Sequence, residues 1–169
     1  MATSFSFVLL LQLLCLFLQT NGAIVDIVCG QTKNPSLCSS SLGSDPRSKS
    51  AALPQLAQIA IDMAEYDATQ AKIKIHSYLI SAKIPKLKGL YAQCENLYLD
   101  ALGALRDAPA QLEGRQYGEL SKTGVRVRAQ VDGCEAAFNN NSPFKPENQL
   151  VGVLADAIVV IANKSLLLF

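Results

Sequence analysis

Residues 56–80 read LAQIAIDMAEYDATQAKIKIHSYLI, and within them Leu56, Ile59, Met63, Tyr66, Gln70, Ile73, Ser77 and Ile80 recur at intervals of three and four. A helix of 3.6 residues per turn gathers such a row on one face, whereas a strand requires period two. The stretch therefore predicts one long helix, closed before Pro85 because proline disfavours helical geometry in the residue preceding it. Working outward, the same spacing returns three more times. Leu87, Leu90, Cys94, Leu97, Ala101 and Leu105 predict a second helix, closed before Pro109. Leu120, Gly124, Val127, Val131, Cys134 and Phe138 predict a third, and Leu150, Leu154, Ala157 and Ile161 a fourth. Pro143 and Pro146 fall in the loop before the fourth, and Glu147 suits the positive pole of its first turn. Sustained alternation is scarce. Four helices with short connections predict an all-α, up-down-up-down antiparallel four-helix bundle over 54–169.

The chain upstream is different in kind. Between Cys29 and Leu53 it carries Asn34-Pro35, Gly43, Asp45-Pro46 and many serines. Short helical turns follow from that composition, so 24–53 is expected to be an N-terminal helical hairpin. Met1 to Ala23 has no charged side chain, and Phe7–Leu18 is apolar apart from Gln12. Small or polar residues follow at Thr20, Asn21, Gly22 and Ala23, the pattern of a signal peptide (1–23) removed near Gly22 or Ala23. The apolar run is short for a membrane span of about 20 residues. A second apolar stretch, Leu150–Ala162 and then Leu166–Phe169, interrupted by Asp156, Asn163 and Lys164, is too short and too polar to span and reads as a buried closing helix, so no membrane attachment is expected once the signal is removed.

Cys15 leaves with the signal peptide, and four cysteines remain: Cys29, Cys38, Cys94 and Cys134. An even set in an oxidising compartment implies disulfides, and three pairings are possible. Cys29–Cys38 with Cys94–Cys134 is favoured, because the first two are close in sequence and the last two lie on separate helices. The spacings fit no zinc ribbon or finger.

Chemistry is hard to find. His76 is the sole histidine, and it sits beside the apolar row rather than near a nucleophile. Ile73 stands where a Glu-x-x-His di-iron motif needs its carboxylate. Bonded cysteines leave no thiolate. Gly114 and Gly118 are isolated, with no phosphate-loop lysine. Asp62, Glu65 and Asp67 are spread around a helix. A net charge of +1, without a basic stripe, argues against nucleic acid. No cofactor and no enzymatic activity are expected. Asn140 and Asn163 each head an N-glycosylation sequon.

Cysteines nine and forty residues apart, on a signal peptide and four helices, resemble the plant pectin methylesterase and invertase inhibitor family. Local motifs carry the resemblance further. They are Asn34-Pro35-Ser36-Leu37-Cys38, Ser44-Asp45-Pro46-Arg47-Ser48 and Pro85-Lys86-Leu87-Lys88-Gly89, with Tyr98 and Asp100 after Cys94, and Cys134-Glu135 with Phe138.

The resemblance implies a secreted protein of the apoplast or cell wall. It implies a partner: pectin methylesterase, capped at its pectin-binding cleft in a 1:1 complex, or cell-wall or vacuolar invertase. Invertase inhibitors of the family carry a Pro-Lys-Phe motif in the loop before the third helix. Here that region reads Gly114-Arg115-Gln116-Tyr117-Gly118, and Tyr117 is similar to the pectin methylesterase branch. The favoured expectation is a pectin methylesterase inhibitor; the alternatives are an invertase inhibitor and a non-inhibitory secreted bundle. Two polar stripes are the candidate interface: Asn96, Asp100, Gly103 and Asp107 on the second helix, and Thr123, Arg126, Gln130 and Gly133 on the third. Asp100 matches an acidic family position. Gly133 and Ala136 depart from it, standing where a threonine and a carboxylate can occur. An acidic contact such as Asp100 implies pH-dependent affinity.

Overall fold

Proline begins most of the helices. In the computed structural model, which describes residues 24–167, Pro35, Pro54, Pro85 and Pro146 each occupy the first turn of a helix. The missing N–H costs nothing there, and the fixed φ is already helical. The elements are a helical segment at 24–29 (α1), Pro35–Ser44 (α2), a 3₁₀ turn at Pro46–Ser50, Leu53–Ser81 (α3), Pro85–Glu113 (α4), Tyr117–Ala137 (α5) and Lys145–Leu166 (α6). No strand occurs among the described residues. The expected signal peptide, 1–23, lies outside them.

Side chains also close the starts. Asn34 Oδ1 accepts the Leu37 N–H at 3.2 Å at the head of α2. Asp45 Oδ1 accepts the Arg47 N–H at 2.8 Å at the head of the 3₁₀ turn. Gln55 Oε1 accepts the Ala52 N–H at 2.9 Å at the head of α3. Each satisfies a donor that helix geometry leaves orphaned.

Four helices form a ring: α3 packs against α4 and α6, and α5 packs against the same two. Specific contacts show that each adjacent pair is antiparallel. Cys94 bonds Cys134 while Thr123 donates to Gln111, so α4 and α5 run oppositely. His76 meets Glu95 while Tyr78 stacks on Tyr91, fixing α3 against α4. Ser121 reaches Asn163, Arg128 reaches Asp156 and Asn148 reaches Glu135, fixing α5 against α6. Lys74 pairs with Glu147 between α3 and α6. The all-α, up-down-up-down reading of the sequence is therefore what the chain adopts, and both favoured disulfides are present.

Three expectations need correction. The second helix does not end before Pro109: α4 carries it internally and continues to Glu113. Its last turn is held from outside, by the Thr123–Gln111 bond and by Leu112 packing on the core, and these contacts offset the hydrogen bond that proline removes. The apolar row of the first helix is not the buried one along its length. Leu56 and Ile59 are buried, but Tyr66, Gln70, Ile73, Ser77 and Ile80 face outward. The buried row is Ala57, Ala60, Ala64, Ala68, Ala71 and Ile75, since small side chains let α3 approach its neighbours closely. The closing helix, expected to be too short and too polar to span, covers 22 residues. It is long and apolar enough to cross a membrane, yet most of its apolar window is buried against the bundle.

Gly124 marks the closest approach. A Cβ there would lie 2.7 Å from Val159 Cγ2 and 2.9 Å from the Ala155 carbonyl oxygen, so α5 and α6 meet where only glycine fits. The hairpin packs on this bundle through α2 against α6. Cys29–Cys38 ties α1 to α2 across a Cα separation of 5.3 Å.

Candidate partner-binding face

Beneath the polar stripes lies a polar core. Tyr98 of α4 donates its hydroxyl to Asn148 Oδ1 of α6 at 2.9 Å, and Asn148 Nδ2 donates to Glu135 Oε2 of α5 at 2.8 Å. Glu135 Oε1 accepts the Ser142 N–H at 3.3 Å. Burial, with the Glu147, Glu135 and Asp67 carboxylates nearby, pushes the Tyr98 hydroxyl far above the usual tyrosine range, so it remains a donor. Three helices thus share one satisfied network, which fixes their mutual register. Tyr78, Tyr91, Phe138 and Phe144 pack mostly edge-to-face at the same end of the bundle.

The disulfide Cys94–Cys134, with Cα atoms 4.7 Å apart, clamps α4 to α5 directly below their outer surface. One turn along, Gly133 faces Leu97: a Cβ at Gly133 would lie 3.4 Å from Leu97 Cδ1. On α4, Asn96, Asp100, Gly103 and Asp107 are all exposed. On α5, Arg126 is exposed, and Gln130 and Gly133 are half-buried. Among the described residues, the side chains of Asn96, Asp100, Asp107, Arg126 and Gln130 make no hydrogen bond or ion pair. Their polar groups are available to a partner on a rigid support.

Two candidate residues do not share that surface. Tyr117 is 6% exposed and Thr123 7% exposed. Thr123 spends its hydroxyl on Gln111 at 2.9 Å. Both are buried at the α4–α5 junction. The sequons lie elsewhere. Asn140, with φ 63°, is exposed in the turn after α5. Asn163 is exposed on α6, where its Oδ1 accepts from Ser121.

The connection between α4 and α5 is a closed turn. Gln116 N–H returns to the Gln111 carbonyl at 2.8 Å and Arg115 N–H to that of Leu112 at 3.1 Å. Arg115 takes the left-handed conformation, φ 53°. This pairing caps the orphaned carbonyls of the helix end. Asn139 does the same after α5, with φ 53° and matching bonds to Ala136 and, through Asn140, to Glu135. Neither motif was recognised from the sequence, although asparagine tolerates this backbone region and the Asn139–Asn141 run was a signal. The buried Tyr98–Asn148–Glu135 network was also missed as a network, because its members lie on three helices.

No group of three or more His, Cys, Asp or Glu side chains is placed to hold a metal ion among the described residues. His76 is exposed and hydrogen-bonded to Glu95 at 2.7 Å. Fold and disulfides together define a disulfide-clamped helical bundle.

Comparison with known proteins gives that class its family. Residues 23–162 match the family described as plant invertase/pectin methylesterase inhibitor, and the chain belongs to it. It is 36% identical over 147 residues to the pectinesterase inhibitor of Actinidia deliciosa, covering 83% of this chain and 78% of that protein. It is 30% identical over 151 residues to pectinesterase inhibitor 2 of Arabidopsis thaliana, covering 85% and 86%. It is 33% identical over 130 residues to cell wall / vacuolar inhibitor of fructosidase 1 of Arabidopsis thaliana, covering 74% and 60%. In fold it resembles the crystal structure of a mutant form of a pectin methylesterase inhibitor from Arabidopsis, with TM-score 0.74 at 24% identity over 80% of this chain and 93% of that one. The protein is an inhibitor of this family and not an enzyme.

Proposed function

We propose that this protein inhibits pectin methylesterase, after export to the apoplast or cell wall and loss of residues 1–23. The observation that carries the reading is the α4–α5 turn. Where invertase inhibitors resembling this chain carry a Pro-Lys-Phe motif, Gly114–Gln116 closes back on Gln111 and Leu112, and no Pro-Lys-Phe is present. The two relatives named pectinesterase inhibitors support the same branch.

The mechanism is steric. One bundle covers the cleft of one enzyme through the outer faces of α4 and α5, with Asn96, Asp100, Asp107, Arg126 and Gln130 in contact. Because the disulfide and the buried network already fix this face, little ordering entropy is lost on docking.

Titrating the oxidised protein against a plant pectin methylesterase and an acid invertase tests the proposal. Esterase activity should fall linearly to an end point at one inhibitor per enzyme, with invertase unaffected. Unchanged esterase activity at saturating protein would overturn it. Loss of invertase activity alone would assign the chain to the other branch, and loss of neither to a non-inhibitory secreted bundle.

A further inference from the structure

The outward row of α3 is left over from the fold and from the face on α4 and α5. Lys74 reaches α6 and His76 reaches α4, while Ile75 between them is buried. Ile73, two residues before Ile75, therefore points directly away from the bundle. Tyr66 is 65% exposed, Ile73 57% and Ile80 70%. Together with Met63, Gln70 and Ser77 they recur at alternating intervals of three and four, which is the seam spacing of a two-helix coiled coil.

We propose that this seam docks a second copy of the same chain, antiparallel, α3 against α3. Sequence along the helix selects both the occupant and the direction. In the antiparallel register Met63 meets Ile80 of the second copy, Gln70 meets Ile73, and Tyr66 meets the small Ser77, so each large side chain faces a smaller or more flexible one. The charges agree. Asp62 and Glu65 lie toward the start of α3, and Lys83 lies just past its end. An antiparallel copy sets Asp62 beside Lys83 twice over, related by the two-fold axis; a parallel copy would set like against like. Among the described residues Lys83 has no ion pair of its own, while Asp62 also takes Arg47 at 3.1 Å. Residues 63–80 span about 27 Å of helix, and Gln70 or Ser77 enters every layer except the Met63–Ile80 ones. The contact falls short of the ~800 Å² per partner of a stable interface, so the dimer is a weak, concentration-dependent one.

Sedimentation velocity on the oxidised protein, from about 1 µM to about 500 µM, reads this directly. A reversible monomer–dimer equilibrium is expected. Ile73→Lys and Ile80→Lys should each weaken it by at least about tenfold, with circular dichroism and thermal midpoint unchanged because both sites are exposed. Lys83→Glu should weaken it, and Asp62→Lys combined with Lys83→Glu should restore it, with the thermal midpoint followed because Asp62 also pairs with Arg47. A protein that stays monomeric throughout the range overturns the proposal. So does a dimer indifferent to Ile73→Lys, which would use another surface. If Ile73→Lys instead lowers inhibition of a target enzyme, the seam belongs to the enzyme contact and the second copy is not its occupant.

Discussion

Asp156 Oδ2 accepts the backbone N–H of Lys33 at 3.2 Å, across 123 residues of chain. The same oxygen takes Arg128 Nη1 at 2.8 Å, and Arg128 Nε turns to Asp132, which also pairs with Lys33 Nζ at 3.5 Å. One carboxylate on α6 therefore holds the hairpin and α5 together. Asp156→Ala strips the acceptor from a backbone donor and from a half-buried guanidinium, at a cost of about 1–3 kcal/mol. The loss should be local. Amide exchange over 24–44 should speed up, while that of α4 and α5 stays slow. Exchange unchanged in the hairpin would mean that packing of α2 on α6 suffices.

Glycines separate crowding from openness. Gly124→Ala places a methyl 2.9 Å from backbone and 2.7 Å from Val159 Cγ2, so α5 and α6 must move apart, costing about 1–3 kcal/mol. Gly103→Ala meets nothing within 4 Å and should stabilise α4 by about 1 kcal/mol, through helix propensity. Urea unfolding of both variants gives the two signs in one experiment.

Tyr98→Phe removes one hydroxyl and leaves Asn148 Oδ1 buried without its donor. Unfolding free energy should fall by about 1–2 kcal/mol, more than the contact itself contributes, because an unmade buried hydrogen bond is costlier than a made one is favourable. A near-neutral result would show that Asn148 has found another donor.

Acid acts through two carboxyls in opposite senses. Burial holds the Asp67 carboxyl above the usual aspartate range. The folded state therefore binds its proton more tightly than the unfolded chain, and this group stabilises progressively as pH falls through its raised value. The hydrogen bonds from Arg47 to Asp45 hold that carboxyl below the usual range, so its stabilisation is present above the ordinary aspartate pKa and is lost as pH falls. Asp67→Asn should match or exceed wild-type stability near neutrality and lose that advantage toward pH 4. Asp45→Asn should be destabilised near neutrality and converge with wild type in acid. Thermal midpoints across that range check both; parallel pH profiles for all three proteins would contradict the assignment.

Charge reversal tests the docking face without disturbing the fold. Asp100→Lys and Asp107→Lys sit on exposed positions that make no internal contact, so stability should stay within about 0.5 kcal/mol of wild type. Inhibition of pectin methylesterase should weaken by about tenfold or more if these carboxylates meet the enzyme. Intact inhibition by both variants would move the contact off α4.

Much of the architecture was legible in one dimension. The spacing of Leu120, Val127, Val131 and Cys134 named the buried face of α5, and Pro85 marked the break after α3. What sequence reasoning misplaced was the orientation of α3. Its row of large residues, Tyr66, Ile73 and Ile80, has the stronger hydrophobic period, but the row of alanines beside it is what packs. Periodicity reports that a helix has an apolar face; it does not report which apolar face its neighbours can approach most closely. Pro109 was misread for a related reason, since only contacts from α5 reveal why the helix survives it.

The candidate site divides the same way. Asn96, Asp100, Asp107 and Arg126 are outward by their helical phase alone, so their exposure could be read from the sequence. The burial of Tyr117 and Thr123 could not be read without seeing the α4–α5 junction close over them. Sequence by itself determined the four helical periods, the even set of cysteines and the family resemblance, because these depend on local spacing and covalent chemistry. Only the tertiary structure decided which side of α3 is free, how Pro109 is tolerated and which polar residues are spent inside. Those outcomes depend on distances between helices far apart in the chain, and no local pattern encodes such a distance.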